Sequence, residues 1–132
     1  MNNYFDILKK LNNKAQKNGD IPVSAIIIKD NKIISKAYNK KYKLNDPFAH
    51  AEILAIKKAS RRLKTPNLSD CTLLVTLEPC SMCKEVIKES KIKIVNYLLD
   101  NDKKINNNTV YKKIESDPYF SKEIKDFFKN KR

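Results

Sequence analysis

Apolar residues along the chain recur at two spacings, either every three to four residues or in short continuous runs. The first spacing is typical of helices with one buried face, and the second is typical of strands buried in a sheet. We therefore predict helices over residues 4–17, 49–60, 80–90 and 118–131, and strands over residues 23–28, 32–38, 72–77 and 92–99. The first two strands are separated only by the turn Asp30-Asn31, which predicts a hairpin.

The order of these elements predicts the fold class. Helices that alternate with strands cover both faces of a sheet, since each apolar face has to be buried. We therefore expect an α/β fold, a three-layer α-β-α sandwich around a mixed central sheet of four to five strands. The 132 residues suffice for one core and not for two, so we expect one domain over residues 1–132, with a loop at Asn106-Asn107-Asn108.

The last predicted helix, over residues 118–131, has an apolar stripe and a basic side. The stripe predicts packing against the core. The basic side is either a solvated surface or a contact with RNA. The stripe consists of Phe120, Ile124, Phe127 and Phe128, and the basic residues in or beside the helix are Lys122, Lys125, Lys129, Lys131 and Arg132.

The charge of the chain is strongly positive. Its 28 Lys and Arg residues exceed its 15 Asp and Glu residues, which gives a net charge of +13 and a pI of about 9.6. Such a surplus attracts polyanions, most often nucleic acids, although a Lys-rich solvated surface is the alternative. With 41% hydrophobic residues the chain is nevertheless expected to fold rather than stay disordered.

The sequence indicates neither a membrane-spanning protein nor a disulfide-bonded one. No apolar run approaches the roughly 20 residues of a membrane-spanning helix, and the first residues lack the pattern of a secretory signal. We therefore expect a cytoplasmic protein with no membrane partner. Three cysteines are an odd number, and in a reducing compartment the C-x-x-C spacing of Cys80 and Cys83 favours metal binding or redox chemistry over a disulfide.

Two short segments carry the candidate chemistry, His50-Ala51-Glu52 and Pro79-Cys80-Ser81-Met82-Cys83. Each opens a predicted helix, where unpaired backbone N–H groups favour thiolates and two cysteines three residues apart point the same way. One His nitrogen and two sulfurs suit Zn²⁺, which keeps a fourth position for water and lowers the pKa of that water to about 7. Glu52, two residues from His50, is then placed to move the proton of the water.

Each of these segments is ambiguous when taken alone. A lone C-x-x-C also fits a structural zinc knuckle or a redox pair, and a closed site with three cysteines and one histidine would take Cys71 as its fourth ligand. Cys71 begins a predicted buried strand, where a free cysteine is more often a core residue. Together and in this order, the two segments match the zinc deaminase signature H-x-E…P-C-x-x-C, which predicts a catalytic site.

Around these segments the sequence resembles the bacterial tRNA adenosine deaminases, which belong to the cytidine deaminase-like superfamily. The resemblance runs from about residue 21 to residue 100. Residues 21–25 (IPVSA) are similar to the family's PVGA segment, residues 46–52 (DPFAHAE) to DPTAHAE, and residues 75–83 (VTLEPCSMC) to VTLEPCxMC. The chain departs from the family at Lys84-Glu85-Val86, where small residues are usual, and over residues 100–108, where a Gly-rich stretch is usual.

The resemblance implies a reaction and a role for each matching residue. It implies that one Zn²⁺ per subunit binds to His50, Cys80 and Cys83, with Glu52 as the proton shuttle. It further implies that adenosine is converted to inosine at the wobble position of tRNA by a homodimer that binds the anticodon stem-loop. The residues implied to bind the target base are Asn39, Val23 and Ala51, and those implied near the anticodon stem are Phe127, Phe128 and Lys129.

Two other functions remain open from the sequence. One is a deaminase of a free nucleobase or nucleoside, of the guanine or cytosine type, which uses the same chemistry and leaves the charge of +13 unexplained. The other is a non-enzymatic, zinc-stabilised RNA-binding module, in which Glu52 has no chemical role. In either deaminase the chemistry is hydrolytic and needs no organic cofactor.

Overall fold

The computed structural model of the protein describes residues 2–101 and 109–130. Within these residues the chain forms one five-stranded sheet with helices on both faces. The loop predicted at Asn106-Asn107-Asn108 lies outside the described residues, as do Lys131 and Arg132 at the end of the chain. None of the helices in the described ranges combines the length and the hydrophobicity that crossing a lipid bilayer requires.

Nine helices and strands follow one another along the described residues, and eight of them agree with the elements predicted from the sequence, with ends within three residues. The ninth, a four-residue strand, lies where the sequence predicted no element. The helices are α1 (Asn2–Lys17), α2 (Ala51–Leu63), α3 (Ser81–Glu89) and α4 (Pro118–Asn130). The strands are β1 (Ser24–Lys29), β2 (Lys32–Tyr38), β3 (Thr72–Leu77), β4 (Ile94–Leu99) and β5 (Val110–Lys113).

The sheet is mixed, as predicted, with the strand order β2-β1-β3-β4-β5. β1 pairs antiparallel with β2 and with β3, whereas β3 with β4 and β4 with β5 are parallel pairs. The β1–β2 hairpin is confirmed, and its two-residue turn places Asp30 and Asn31 at φ values of 53° and 63°. A two-residue turn between twisted strands requires such left-handed angles, and Asp and Asn tolerate them better than most residues.

Each face of the sheet is covered by two helices, because alternate residues of a strand point to opposite faces. Ile27 and Val75 lie in the core beneath α2 and α3, whereas Ile26 lies in the separate core beneath α1 and α4. The predicted three-layer α-β-α sandwich is therefore confirmed.

The carboxyl ends of β2, β3 and β4 lie along one edge of the sheet, because these three strands run in the same direction. The chain passes from β2 through residues 39–50 into α2, and from β3 through residues 78–80 into α3. The amino ends of both helices therefore meet at this edge, which is where ligands bind in many α/β sheets.

Candidate active site

Three candidate metal ligands converge at the amino ends of α2 and α3. His50 is the residue before α2, Cys80 is the residue before α3, and Cys83 lies in the first turn of α3. His50 Nδ1 is 3.4 Å from Cys83 Sγ and 4.0 Å from Cys80 Sγ, and the three ligand atoms all lie within 4.8 Å of one another. The structure thus brings together the three residues that the sequence proposed as metal ligands.

The donor set and its spacing fit Zn²⁺. Tetrahedral bonds of about 2.3 Å to sulfur and about 2.0–2.1 Å to nitrogen place nitrogen and sulfur ligands about 3.6 Å apart. The two nitrogen-to-sulfur distances in the structure, 3.4 and 4.0 Å, bracket this value. No fourth His, Cys, Asp or Glu among residues 2–101 and 109–130 joins the group, so the protein offers three candidate ligands at this site.

Cys71 lies far from this group. It precedes β3, whereas Cys80 follows that strand, and six residues of strand span about 20 Å. Its side chain is buried in the core beneath α2 and α3. The alternative of a closed site that uses Cys71 is therefore wrong, and the prediction that Cys71 is a core residue is confirmed.

The two thiols and the imidazole are coupled through hydrogen bonds. The pKa of the Cys80 thiol is lowered to about 3, because this sulfur accepts hydrogen bonds from the Cys83 thiol and from the His50 ring. The pKa of Cys83 is raised, because its thiol donates to Cys80 and is buried, and the pKa of His50 is raised by its hydrogen bond to Cys80. A divalent cation displaces such protons when it binds, since thiolates and neutral imidazole are the metal-binding forms.

Glu52 lies in the first turn of α2, two residues from His50, and its side chain is only 4% exposed. Burial raises the pKa of its carboxyl, because water no longer stabilises the charged form. A carboxyl with a raised pKa takes up and releases protons near neutral pH more readily than an exposed one. The location and the environment of Glu52 therefore suit proton transfer beside the three ligands.

Asn39, which follows β2, joins three segments at the same corner of the molecule. Its Oδ1 accepts the N–H of Ala51, the first residue of α2, at 2.8 Å, and its own backbone N–H donates to the Val23 carbonyl at 3.0 Å. Val23 and Ala51 are both buried. Asn39 thus connects the other two residues predicted to bind the base, and Ala51 directly follows His50.

A cavity of about 400 Å³ opens beside His50, a size that suits a small-molecule group such as a nucleobase, and neither cysteine nor Glu52 is among its lining residues. His50 and Asn39 line it from the sheet edge, and Phe127 and Phe128 line it from α4. Two of the three residues predicted to contact RNA are therefore part of the cavity wall. The third, Lys129, is exposed near the end of α4 and is not among the lining residues.

Asp20 is a residue of this cavity that the sequence analysis did not single out. It lies in the turn after α1, it is buried, and it lines the cavity. Its Oδ1 accepts the Tyr42 N–H at 3.2 Å, which ties the turn to the loop over residues 39–50. Its Oδ2 is buried and has no hydrogen-bond partner among the residues that the structure describes. The sequence offered only one signal, an acidic residue beside an apolar strand.

Glu78 and Lys84 form a second feature that the sequence did not predict. They flank the two cysteines, and their side chains make a buried ion pair with an Nζ-to-Oε2 distance of 3.1 Å. The available signal was the departure at Lys84 from the small residues usual in the family.

Comparison with known sequences agrees with a zinc site in a deaminase. Residues 1–99 match the family described as the cytidine and deoxycytidylate deaminase zinc-binding region. The chain is 52% identical over 88 residues to the tRNA-specific adenosine deaminase of Aquifex aeolicus (strain VF5). That match covers 66% of this chain and 58% of the relative, so the chain spans less than two thirds of the relative's length.

Two examples represent the solved structures that share the fold. One comes from biochemical and structural studies of A-to-I editing by tRNA:A34 deaminases, with 30% identity, a TM-score of 0.72 and coverage of 76% of this chain and 77% of that chain. The other is a guanine deaminase from Bacillus subtilis, with 39% identity, a TM-score of 0.65 and coverage of 70% and 62%. The family match and the fitting ligand set agree with the prediction of zinc as the cofactor.

Proposed function

Because the chain belongs to the cytidine and deoxycytidylate deaminase zinc-binding family, we propose that it is a zinc-dependent hydrolase that converts adenosine to inosine at the wobble position of tRNA. The observation that carries the proposal is the convergence of His50, Cys80 and Cys83 beside the buried carboxyl of Glu52. The high identity to a tRNA-specific adenosine deaminase supports adenosine in tRNA as the substrate.

We propose that His50, Cys80 and Cys83 hold one Zn²⁺ per subunit. Zinc at such a site supplies a water that is acidic enough to serve as a nucleophile at neutral pH. The three side chains come from residues that lie at or beside two helix amino ends, so their positions are fixed by rigid elements. This rigidity favours a site that keeps the same geometry before and after substrate binds.

In the proposed reaction Glu52 moves the protons. Its carboxylate accepts a proton from the attacking water and delivers it to the ring nitrogen next to C6 of adenine. After the C–O bond forms at C6, the C–N bond to the exocyclic amino group breaks, and a further proton passes through Glu52 to the leaving ammonia. One water is consumed and one ammonia released, so the conversion of adenosine to inosine is balanced.

The base is proposed to bind between Asn39 and the helix wall of the cavity. Asn39 Oδ1 is already used by the Ala51 N–H, which leaves the side-chain amide N–H groups to donate to an acceptor on the base. Val23 packs beneath this corner, and Phe127 and Phe128 offer aromatic surface from α4. A planar base suits such a mixed polar and aromatic pocket.

The rim of the cavity supports RNA as the substrate. The loop over residues 39–50 carries the exposed cations Lys41 and Lys43 beside Tyr42, which is 61% exposed, and Phe128 across the cavity is 50% exposed. Cations that contact phosphates and exposed rings that stack on bases are the usual means of binding single-stranded RNA. A free base that fits within the cavity would not contact this surface.

The remaining parts of the proposal concern the assembly. We propose that residues 1–132 act as one deaminase domain, in a homodimer that binds the anticodon stem-loop of tRNA, where the target base is unpaired and can be turned out at modest cost. We propose that this activity is cytoplasmic.

Deamination of a free base such as guanine is the second candidate, and the similarity to a guanine deaminase favours it. The net charge of +13 and the basic, aromatic rim weigh against a small neutral substrate. A non-enzymatic binding module is disfavoured by Glu52, because a buried carboxyl without a chemical role costs stability.

The test is incubation of the purified, zinc-loaded protein with a tRNA transcript that has adenosine as the first anticodon residue, followed by sequencing for inosine. A transcript with guanosine at that position is the control. Ammonia release from guanine and from cytidine is measured in parallel. We expect inosine only at the first anticodon position. Ammonia release from a free base without inosine in the transcript would contradict the proposal and favour the second candidate.

A further inference from the structure

The two cysteines of the site are flanked in the sequence by two residues that form a buried ion pair. Glu78 precedes Pro79 and Cys80, and Lys84 directly follows Cys83. Lys84 Nζ lies 3.1 Å from Glu78 Oε2, and the two side chains are 2% and 3% exposed. The side-chain bridge therefore spans residues 79–83, which are the turn before α3 and the first three residues of this helix and include both sulfur ligands.

Further hydrogen bonds fix both ends of this segment. At its start the Glu78 N–H donates to the Leu99 carbonyl at 2.8 Å, and at its end the Lys84 N–H donates to the Cys80 carbonyl at 2.9 Å. The second carboxylate oxygen of Glu78 accepts the Asn101 N–H at 3.1 Å. Both oxygens of the Glu78 carboxylate thus have partners, as a buried charge requires.

Lys84 also contacts β5, the outermost strand of the sheet. Its Nζ lies 4.9 Å from the centre of the Tyr111 ring on β5, within the range of a cation–π contact. Residues 79–83 are thereby held against the end of β4 and against β5.

A buried ion pair is an inefficient way to stabilise a fold. Removing two charges from water costs about as much as their attraction returns, and two apolar or neutral residues of similar size often stabilise a protein as well. An ion pair whose charges meet across seven residues does, however, restrict the positions of everything between them. Its placement around the sulfur ligands points to a role in ligand geometry.

We propose that Glu78 and Lys84 are positioning residues that hold Cys80 and Cys83 in the geometry that retains the metal. This inference rests on the proposed zinc site and is independent of which base the enzyme deaminates. Removing the bridge lets the start of α3 and the turn before it shift relative to the sheet and speeds the loss of zinc. Side chains that support metal ligands from outside the ligand set typically change metal affinity about 10- to 100-fold when they are replaced.

The experiment measures the rate at which the zinc-loaded protein transfers its metal to an excess of a chromogenic chelator. The single variant Lys84→Met leaves Glu78 buried without its partner, so it is expected to lose stability as well as zinc. The double variant Glu78→Gln with Lys84→Met has no buried charge, so it is expected to fold about as stably as the wild type. Because it lacks the bridge, it is still expected to release zinc about 10- to 100-fold faster.

Phe120→Leu is the matched control. Phe120 is buried in the core on the opposite face of the sheet, so the variant is less stable without a change near the cysteines. We expect its zinc release to stay close to the wild-type rate. As a second readout, the visible absorption spectrum of the Co²⁺-substituted double variant should differ from that of the wild type, because the geometry of the sulfur ligands is altered.

The possible results separate this inference from the proposed zinc site. Faster zinc release by the double variant, with wild-type rates in Phe120→Leu, supports the positioning role. Wild-type rates in the double variant, or equal acceleration in Phe120→Leu, would overturn it and leave the zinc site intact. A wild-type protein that binds no zinc would overturn the proposed zinc site itself.

Discussion

The side chain of Asn39 uses its oxygen to accept the Ala51 N–H at 2.8 Å, and this bond stabilises the first turn of α2. In the proposed function its amide N–H groups bind the base. The two roles involve different atoms of one side chain. Substitutions that remove one group and keep the other can therefore separate folding from recognition.

Asn39→Asp keeps an oxygen acceptor for the Ala51 N–H, and a negative charge is favoured near a helix amino end, so we expect wild-type stability. It lacks the amide donor, so we expect kcat/KM on tRNA to fall at least about tenfold. Asn39→Ala loses both groups and should in addition unfold more easily, by about 1–3 kcal/mol. Urea denaturation and steady-state kinetics check the two effects. Full activity in Asn39→Asp would exclude a donor role.

Glu52→Gln tests the proposed proton transfer, because it replaces one carboxylate oxygen by an amide nitrogen. The amide cannot accept and return a proton, so we expect the rate of inosine formation to fall by about 10²- to 10⁴-fold. Zinc content should be unchanged, because Glu52 is not part of the ligand group. Stability should be close to that of the wild type, because Gln has nearly the same size and shape as Glu. Atomic absorption, single-turnover assays and thermal unfolding measure the three quantities, and undiminished turnover would refute the role.

At the scale of elements, α4 is attached to α1 by a cluster of polar side chains. The carboxylate of Glu123 accepts hydrogen bonds from Asn12 at 2.8 Å, from Gln16 at 3.0 Å and from the Tyr119 hydroxyl at 3.1 Å. Phe127, one helical turn further along α4, lines the cavity. This attachment therefore determines where the aromatic wall of the cavity stands.

The attachment of α4 should depend on pH through Glu123. Burial raises the pKa of this carboxyl above its ordinary value of 4.5, so the folded protein binds the proton more tightly than the unfolded chain does. The resulting stabilisation is fully present below about pH 4.5 and is lost as the pH rises through the raised pKa. In Glu123→Gln this change is absent. We therefore expect the wild type to be more stable relative to the variant near pH 4.5 than at pH 8, as measured by urea denaturation, and a difference that is constant with pH would contradict this.

At the scale of the whole molecule, the charge of +13 predicts a strong effect of salt on the reaction with tRNA. Each phosphate that a Lys or Arg contacts releases counterions, so about four such contacts make affinity fall by roughly three log units per tenfold rise in salt. We expect kcat/KM on tRNA to follow this dependence and any deamination of a free base to be nearly independent of salt. Kinetics between about 50 and 200 mM NaCl test both expectations.

Paired lysine variants show whether the rim of the cavity causes the salt dependence. Lys41→Gln with Lys43→Gln should reduce its slope, because both residues are exposed on the loop beside the cavity. Lys88→Gln with Lys91→Gln is the matched control, since these exposed residues lie at the far end of α3. Equal effects of both pairs would mean that the rim has no special part in binding.

The sequence predicted those helices and strands whose apolar residues follow the spacing of a helix or a strand. The alternation of apolar runs located eight elements, including the hairpin with its Asp30-Asn31 turn. β5 was missed because its four residues are mostly exposed and are held by backbone pairing with β4, which leaves no hydrophobic pattern. α2 extends beyond its predicted end because Lys64, with a φ of 56°, takes the left-handed position that a glycine usually occupies.

The candidate chemistry of the site could be predicted from short segments of the sequence. His-x-Glu and Cys-x-x-Cys are complete within a few residues, and their place at helix amino ends follows from local spacing. Three contacts could be seen only in the folded protein: His50 lies within 4.0 Å of Cys80, Phe127 lines the cavity beside His50, and Lys84 forms an ion pair with Glu78. Helix and strand propensities act between near neighbours, whereas contacts between separate elements depend on strand order and on how the layers pack.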